Sequence, residues 1–554
     1  MSLSNPLFLI LLSAAHLQHL WRCLCYTRRL SADLNIKKSK KKKVYLYKKL
    51  RDVDDPVSVK EGEASSKGGD EVAAIPASSE QLPRHVQYLL VGGGTASFAA
   101  MRAIRSARPE AQVLLVSAEG SLPYMRPPLS KELWREPELA QRARDPDSLS
   151  FRQWNGKRRS LAYEPGAFYL PVERLAERGG AAVARGWRVT RLWPAERRAE
   201  LAAVSAPQRT ALVTYDQCLI ATGVRPRRLE ALREAREAGR AVAVRGVQDV
   251  ARLAALLDEP NVRSVTIVGG GFLASELSAA LAERLRDANK TVTQLVRERA
   301  PLADVLPEYL AAEAAHRLTE AGVQVQMEAE VVAAQLEPDG SINLRLSSGA
   351  TFSTDLVVEC VGSEPDADLA HASGLEVDSV AGGVLVNAEM QARSGVFAAG
   401  DVASFHDVTR GRRRLEHHDH AVLSGRLAGE NMAAVAPPKA YSHHAMLWSD
   451  LGPHLGYEAV GDVDSSLRTV GVFSEDAVTA HAEAEARAGA TEDAKGARRY
   501  LRGVVFYLRE NRVVGVLLWN IFNRLQVARQ VLATAEFEDL FEVAKLFALG
   551  EQEE

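Results

Sequence analysis

The sequence predicts an α/β protein with two parallel sheets and a smaller α+β region at its C-terminal end. Strands alternate with helices from Val86 to about residue 440, and a strand, a glycine-rich turn and a helix follow one another twice within this part. A strand–turn–strand pattern then covers residues 504–518 and precedes a helical tail from Ile521. With 554 residues, the chain is long enough for roughly two to four domains.

The first 85 residues differ in composition from the rest, and we assign 1–85 to a targeting segment and a disordered linker. The apolar stretch from Pro6 to Tyr26 is interrupted by polar and basic residues, and the first acidic residue is Asp33. This composition favours a mitochondrial presequence, although a signal peptide or an imperfect membrane anchor stays an alternative. The lysine-rich run Lys37–Lys43 is read as solvated linker, with a nuclear-import or anion-binding patch as the alternative.

The first glycine turn follows the apolar strand Val86–Val91 and comprises Gly92, Gly93, Gly94, Thr95 and Ala96. A turn of this kind brings backbone N–H groups and a helix N-terminus close to a pyrophosphate, which makes the region a Rossmann-like dinucleotide-binding domain. The next strand ends at Ala118 and Glu119, where a carboxylate can accept hydrogen bonds from a ribose diol.

The second glycine turn repeats this pattern after the strand Val265–Val268, with Gly269, Gly270, Gly271, Phe272 and Leu273. The strand after it leads to Glu298, whose carboxylate would repel the 2′-phosphate of NADP. NAD(H) is therefore favoured, although Arg297 and Arg299 beside Glu298 weaken the preference.

Three further segments complete a set that recurs in flavoproteins. Ala221-Thr222-Gly223 and Gly362 suit two crossings between the domains, and Gly400-Asp401 would place a carboxylate on the ribityl or phosphate hydroxyls of FAD. These segments divide the chain into an FAD-binding domain (86–226 and 364–445), an NAD-binding domain (227–363) and a C-terminal domain (446–554) with a flexible insertion near 474–498.

Composition excludes some classes of function. The 69 basic and 71 acidic residues nearly cancel, so non-specific DNA binding is plausible only through local patches such as Lys37–Lys43 or Arg412–Arg414. The cysteines form no C-x-x-C pair, which argues against a flavin enzyme of the dithiol type; they are Cys23, Cys25, Cys218 and Cys360.

Several longer segments resemble the apoptosis-inducing factor family over roughly residues 86 to 550. They are 122–134 (LPYMRPPLSKELW), 151–157 (FRQWNGK), 412–421 (RRRLEHHDHA), 448–453 (WSDLGP) and 518–524 (LWNIFNR). The resemblance implies a glutathione-reductase-like pair of Rossmann-like domains in an FAD-dependent NAD(P)H oxidoreductase. Its members reside in the mitochondrial intermembrane space or associate with the inner membrane. A ferredoxin- or rubredoxin-type NADH reductase is the alternative.

The resemblance also implies how such a protein acts. It oxidises NADH slowly, forms a long-lived charge-transfer complex of reduced flavin with NAD, and supports import and assembly of respiratory proteins. After release it moves to the nucleus and promotes caspase-independent cell death. The implied partners are NADH, a mitochondrial import or assembly protein and, on NADH binding, a second copy of the chain.

The resemblance assigns roles to individual residues. Lys131 and Glu276 would lie near the reactive nitrogen of the flavin, Phe272 would cover the flavin until nicotinamide displaces it, and His417 would tune the complex. The plainer interpretation of Lys131 and Glu276 is a surface ion pair, and that of Phe272 is an aromatic side chain that packs in the core. The implied FAD contacts are Gly92, Gly93, Gly94, Thr95, Ala96, Ala118, Glu119, Arg126, Lys131, Val189, Arg227, Asp401, Glu416, His417, His418 and Trp448. The implied NAD contacts are Trp154, Gly270, Gly271, Phe272, Leu273, Glu298, Gly362, Glu416, Trp448, Glu458 and Asn523, the last two at a second, regulatory nicotinamide contact.

The run Glu416–His420 also invites a metal-site interpretation. Consecutive histidines on a helix cannot all face one ion, so we favour cofactor contacts and expect no metal.

Three residues depart from the family pattern. Ala118 replaces an acidic residue, so we expect one ribose contact to be lost. Asp304 stands where the family has a lysine near NAD, so we expect weaker NADH binding. Leu385 replaces a basic residue of the dimer surface, although Glu376 and Arg393 match it, which leaves NADH-induced dimerisation an open question.

Overall fold

The computed structural model describes residues 74–153, 155–407, 410–452, 455–474, 500–547 and 549. The targeting segment, the run Lys37–Lys43, Trp154 and nearly all of the 474–498 insertion lie outside the described residues. The expected linker extends too far, because ordered structure begins before Val86. Ser79–Gln81 form a 3₁₀ helix, Leu82 is buried, and the indole of Trp187 donates to the carbonyl of Pro76 at 3.0 Å.

The first sheet has eight strands and is parallel at its centre. In the order of pairing, its main path is Gln391–Arg393, Val396–Ala398, Ala206–Ile220, His85–Val91, Gln112–Ser117 and Gly180–Arg185, of which only the first strand is antiparallel to its neighbour. Trp187–Trp193 and Arg198–Ala203 extend it as an antiparallel branch. The continuous apolar runs of the central strands are buried, as a parallel sheet covered on both faces requires.

Two long helices, Thr95–Ala107 and His418–Ala433, pack against each other at unusually short distance beside this sheet. Gly425 and Gly429 allow this approach. A Cβ at Gly425 would overlap the carbonyl oxygen of Ala96, and one at Gly429 would lie 2.5 Å from that of Ala100. The two glycines therefore fix the position of the helix that follows the first glycine turn.

The second sheet has five parallel strands, in the order Ala241–Val242, Leu356–Glu359, Ser264–Val268, Thr291–Leu295 and Val323–Gln326. Its helices are Val247–Asp258, Phe272–Leu285 and Glu308–Glu320. A three-stranded antiparallel sheet accompanies it, formed by Val331–Leu336, Ile342–Leu346 and Thr351–Thr354.

The chain crosses between the two parallel sheets through a pair of short strands. Val224–Pro226 carries the chain out of the first sheet and Ser363–Pro365 carries it back, and the two strands are paired antiparallel. Arg225 opposes Glu364 in this pairing and forms an ion pair with it at 2.6 Å. The strand that leaves the first sheet and the strand that returns to it are therefore adjacent.

The third sheet is antiparallel, with strands in the order Met446–Asp450, Gly456–Gly461, Arg512–Trp519, Gly503–Arg509 and Arg468–Phe473. The tight turn at Glu510-Asn511 has positive φ at both residues, 49° and 65°, as a two-residue hairpin turn requires. Helices Leu525–Thr534 and Leu540–Ala544 follow. The predicted fold class, two parallel sheets and a C-terminal α+β region, is confirmed.

The remaining elements are short. The helices are Leu139–Arg142, Arg233–Glu237 and Asp368–Ala372, and the strands are Ser150–Arg152, Arg158–Ser160, Val384–Leu385, Ala403–Asp407 and Gly411–Arg413. Among the described residues, no helix has the length and apolar character that crossing a bilayer requires.

Candidate functional site

The first glycine turn is closed on one side and open on the other. Gly92 has φ +115° and lies against the carbonyl of Ala221, and a Cβ at Gly93 would lie 2.5 Å from the hydroxyl oxygen of Ser117. At Gly94, which caps helix Thr95–Ala107, an added Cβ would meet nothing within 4 Å. The turn therefore packs tightly on the sheet and leaves space at the helix N-terminus, the geometry that suits a pyrophosphate.

The second glycine turn has the same arrangement. Gly269 has φ +139° and lies against the carbonyl of Cys360, and a Cβ at Gly270 would lie 2.9 Å from Oε2 of Glu298. Gly271 caps helix Phe272–Leu285 and has open space where a Cβ would be. Glu298 therefore lies beside the turn, and its Oε1 accepts a hydrogen bond from Arg297 at 2.8 Å.

The hydroxyl of Thr95, at the start of the first helix, lies 2.8 Å from the phenol oxygen of Tyr163. Tyr163 also stacks on Phe98 of the same helix, with ring centroids 4.3 Å apart. Because Tyr163 is held at both its ring and its hydroxyl, it fixes the orientation of Thr95 in the turn.

A polar network lies near the first turn. The carboxylate of Glu119 accepts hydrogen bonds from Tyr124 and Arg126, both at 2.6 Å. Burial opposes ionisation of Glu119, but Arg126 and Tyr124 outweigh it, so the pKa of Glu119 is lowered. Arg126 also donates to the carbonyl of Arg245, whose guanidinium pairs with Asp401 at 3.0 Å. The structure thus connects three of the expected FAD contacts, Glu119, Arg126 and Asp401, through Arg245.

Lys131 and Glu276 form a buried ion pair with Nζ and Oε2 2.8 Å apart, and their side chains are 8% and 7% exposed. The interpretation as a surface ion pair is therefore wrong. Ser130 donates to the same carboxylate oxygen at 2.5 Å, and Ser449 donates to the other at 2.7 Å. Within the described residues, the ammonium of Lys131 makes no other hydrogen bond, so two of its N–H groups are available to a ligand.

Phe272 is half-buried at the start of the second helix and lies against Tyr457, with ring centroids 6.4 Å apart. Tyr457 is fully buried and stacks on Trp519 at 5.8 Å with an interplanar angle of 11°. Phe272 thus lies at the edge of a packed aromatic group, a placement compatible both with a packing role and with a movable cover.

The three histidines of the run Glu416–His420 point to different surroundings. His417 caps helix His418–Ala433, His418 lies edge-on to Trp448 with centroids 5.6 Å apart, and buried His420 bonds to Tyr441 at 2.9 Å. Burial lowers the pKa of His417, and it lowers the pKa of His418 to about 4, so both are neutral at physiological pH.

Glu416 accepts hydrogen bonds from Ser363 and from Arg414, the latter at 2.5 Å. Arg412 donates to the carbonyls of Val386 and Ser404, and Arg413 pairs with Asp462 at 3.0 Å. The guanidinium groups of Arg412–Arg414 are therefore engaged within the fold, and DNA binding through them stays a prediction.

The remaining expected cofactor contacts lie in several different parts of the fold. Arg227 adjoins Gly362, where its backbone N–H donates to the carbonyl at 3.0 Å, and buried Val189 lies in the antiparallel branch of the first sheet. Trp448 and Glu458 are directly opposed in the third sheet, and Asn523 has φ +61° after that sheet ends. Ala118 adjoins Glu119 after the second strand of the first sheet.

Burial and the neighbouring Asp450 raise the pKa of Glu458 to about 7. Within the described residues, Oε2 of Glu458 is buried without a hydrogen-bond partner. This side chain therefore titrates near neutral pH, unlike an ordinary surface glutamate.

The residues that were compared with the NAD site and the dimer surface of the family differ in exposure. Asp304 is exposed, Leu385 is half-buried in the strand Val384–Leu385, and Glu376 and Arg393 are exposed. Of the cysteines, Cys218 is buried in the first sheet and Cys360 is buried directly after a strand of the second sheet, and burial raises the pKa of each thiol.

The sequence reasoning missed several side chains that complete these groups: Ser130, Tyr163, Arg245 and Ser449. No local spacing connects them to their partners, which are up to 173 residues away in the chain. The close packing of helices Thr95–Ala107 and His418–Ala433, in contrast, can be predicted from the sequence, since Gly425 and Gly429 are four residues apart and lie on one helix face.

Comparison with known proteins agrees with this geometry. Residues 86–425 match the family described as pyridine nucleotide-disulphide oxidoreductase, and residues 428–499 and 474–534 match the one described as apoptosis-inducing factor, mitochondrion-associated, C-term. The chain is 42% identical over 517 residues to a putative apoptosis-inducing factor 1, mitochondrial, of Drosophila melanogaster, across 86% of this chain and 67% of that protein. It is 33% identical over 462 residues to apoptosis-inducing factor 1, mitochondrial, of Dictyostelium discoideum, across 82% and 80%.

The solved ferredoxin reductase for the CYP199A2 system of Rhodopseudomonas palustris has the same fold, with a TM-score of 0.64 and 20% identity over 84% of this chain and 98% of that one. The family match and the two relatives confirm the resemblance found in the sequence. The chain therefore belongs to the pyridine nucleotide-disulphide oxidoreductase family and, within it, to the apoptosis-inducing factors, FAD-dependent oxidoreductases of NAD(P)H.

Proposed function

We propose that this protein senses NADH through a firmly held FAD, with FAD at the first glycine turn and NADH at the second. The observation that carries the proposal is the buried pair of Lys131 and Glu276. Lys131 lies on the segment that follows the first two strands of the first sheet, and Glu276 lies on the helix that begins at the second glycine turn. The pair therefore joins the two nucleotide-binding folds.

The described residues fit both cofactors. Gly94 and Gly271 leave space at two helix N-termini for the pyrophosphate groups, and Glu298 beside the second turn suits the ribose of NAD(H). When bound, FAD supplies the capacity to accept a hydride from NADH. Lys131 places a positive charge near it, which stabilises the negative charge of the reduced cofactor, and Glu276 keeps this ammonium in position.

The neutral histidines and the aromatic residues define the rest of the site. His417 and His418 are uncharged at physiological pH, so they offer hydrogen bonds without opposing the charge of Lys131. Phe272 covers the start of the second helix and moves aside when nicotinamide enters. Glu458, opposite Trp448, belongs with Asn523 to a second nicotinamide contact.

The physiological part of the proposal rests on the relatives and on the first 85 residues. The two relatives are named as mitochondrial apoptosis-inducing factors, and the stretch before Asp33 has the composition of a presequence. We therefore place this protein in the mitochondrial intermembrane space or at the inner membrane. There it forms a long-lived complex of reduced flavin with NAD and supports import and assembly of respiratory proteins; after release it acts in the nucleus in caspase-independent cell death.

An anaerobic titration with NADH tests the proposal. The absorbance spectrum of the purified protein is recorded at each addition, and its mass in solution is measured alongside by light scattering. We expect a long-wavelength absorbance band that persists after reduction, slow re-oxidation by oxygen and by quinone, and, if Leu385 still permits it, an NADH-induced dimer. A purified chain without flavin would contradict the proposal, and so would rapid turnover limited only by hydride transfer.

A second function, that of a ferredoxin-type NADH reductase, is favoured by the fold that the chain shares with the ferredoxin reductase of Rhodopseudomonas palustris. The same preparation distinguishes the two functions. Rapid NADH-dependent reduction of an added [2Fe–2S] ferredoxin would support the reductase, whereas slow transfer with a persistent long-wavelength band supports the NADH-sensing protein.

A further inference from the structure

The carboxylate of Glu276 is held by three hydrogen-bond donors. Its Oε2 accepts from Nζ of Lys131 at 2.8 Å and from the hydroxyl of Ser130 at 2.5 Å, and its Oε1 accepts from the hydroxyl of Ser449 at 2.7 Å. All four side chains are buried, and Ser449 is completely so. A buried carboxylate needs such donors, because water cannot replace them.

Each serine hydroxyl has one proton to donate, and both protons go to Glu276. The hydroxyl of Ser130 lies 3.2 Å from the carbonyl of Pro127 but only 2.5 Å from Glu276, so the carboxylate is the preferred acceptor. Ser449 donates to Glu276 at 2.7 Å, although its hydroxyl also interacts with that of Tyr457, the residue opposite it in the third sheet. The carboxylate is therefore fixed on both oxygens.

The two serines come from different parts of the fold. Ser130 ends the 3₁₀ helix Pro127–Ser130 next to Lys131, whereas Ser449 lies on the first strand of the third sheet, 173 residues from Glu276. The backbone of the third sheet thus determines where Oε1 can lie. Without Ser449, this oxygen would be buried with no donor, and the carboxylate would turn or draw the ammonium of Lys131 away from the cofactor.

We propose that Ser449 and Ser130 are positioning residues for reduction of the flavin, which act by holding Glu276 and through it Lys131. The inference rests on the proposed function, since it takes Lys131 as the charge beside the flavin. It gives the third sheet a direct part in the chemistry of the two nucleotide-binding folds.

The test compares Ser449→Ala, Ser449→Thr and Ser130→Ala in the FAD-bound protein, with Ser278→Ala as the matched control. Ser278 lies on the same helix as Glu276, is fully buried, and among the described residues has no hydrogen-bond partner. Stopped-flow absorbance gives the limiting rate of flavin reduction and the NADH concentration at half saturation. Equilibration with redox dyes gives the midpoint potential of the bound FAD.

We expect Ser449→Ala to lower the limiting rate about tenfold, the usual effect of losing one hydrogen bond to a charged group. The half-saturating NADH concentration should not change, and the midpoint potential should become more negative. Ser130→Ala should change both quantities in the same direction, Ser449→Thr should restore them, and Ser278→Ala should leave them as in the wild type. In a Glu276→Gln background, Ser449→Ala should have no further effect.

The inference is overturned if Ser449→Ala and Ser130→Ala both behave as Ser278→Ala does, or if the effect of Ser449→Ala persists in the Glu276→Gln background. Failure of the proposed function is a separate outcome. It would show as wild-type protein that NADH does not reduce, and in that case the midpoint potentials, measured with dyes and dithionite, still decide whether the serines act on the flavin.

Discussion

Replacing Glu276 with glutamine is expected to destabilise the protein strongly, whereas the same change at Glu283 is expected to have little effect. Both residues lie on helix Phe272–Leu285, and each pairs with a cation at nearly the same distance, 2.8 Å to Lys131 and 2.9 Å to Arg135. The pairs differ in burial, because the side chains are 8% and 7% exposed in the first and 43% and 42% exposed in the second. Burial therefore separates the two variants, together with the hydroxyls of Ser130 and Ser449 that also donate to Glu276.

The expected magnitudes follow from this difference. Removing one partner of a buried pair leaves an uncompensated charge and costs about 3 kcal/mol, more than a hundredfold in the unfolding equilibrium. An exposed pair contributes at most about 1 kcal/mol. Lys131→Met combined with Glu276→Gln should recover part of the loss, because no charge then remains buried.

Urea unfolding followed by circular dichroism, at a fixed excess of FAD, measures these free energies of unfolding. Glu283→Gln is the matched control, and the ion-pair reasoning requires a clear gap between the two single variants. Equal losses in Glu276→Gln and Glu283→Gln would refute it, as would a double variant no more stable than Glu276→Gln.

Three further predictions concern the cofactors and the effect of pH. Glu298→Gln should raise the ratio of kcat/KM for NADPH to that for NADH about tenfold or more, because the carboxylate beside the second glycine turn no longer repels a 2′-phosphate. Steady-state rates with both coenzymes measure this ratio. An unchanged ratio would show that Glu298 does not lie at the ribose site. Gly425→Ala should lower the free energy of unfolding by about 2 kcal/mol and speed thermal release of FAD, because its Cβ would overlap the backbone of Ala96 at the first turn. Flavin fluorescence on heating measures this release. Arg426→Ala, at an exposed position of the same helix, is the control and should behave as the wild type. Burial raises the pKa of Glu458 from 4.5 to about 7, so between these pH values the folded protein keeps a proton that the unfolded chain loses. The contribution of this group to the free energy of unfolding is therefore full below pH 4.5 and falls as pH rises toward about 7. Glu458→Gln should flatten this decline in melting temperatures measured from pH 5 to 8, and parallel curves for the two proteins would contradict the assignment.

Local patterns predicted much of the fold. The two glycine turns, the strands that lead into them and the C-terminal hairpin were all readable, because each depends on a short run of apolar residues followed by residues that permit a tight turn. The boundaries of the elements were less accurate, since ordered structure begins before Val86. Contacts with distant segments, such as the bond from Trp187 to Pro76, determine such boundaries.

The site was predictable only in part. The resemblance to the family singled out Lys131 and Glu276, but no spacing in the sequence connects Ser449 to them, since the bond forms only when the third sheet packs on the second helix. The same limit applies at Arg412–Arg414. A run of arginines looks like a basic surface in the sequence, yet the acceptors that bind these side chains within the fold, Val386, Ser404, Asp462 and Glu416, come mainly from other parts of the chain.

The paired crossing strands Val224–Pro226 and Ser363–Pro365 have a consequence for how such a protein can be assembled. Because the strand that leaves the first sheet is hydrogen-bonded to the strand that returns, the whole stretch between them is a loop with adjacent ends. An ancestral chain can acquire or exchange such a unit without altering the path of the host fold. A short turn joining Pro226 to Ser363 would likewise keep the path of the first fold, but it would also remove the side chains that cover Leu133 and Trp134 and the partner of Lys131, so an exchanged unit has to bring equivalent contacts.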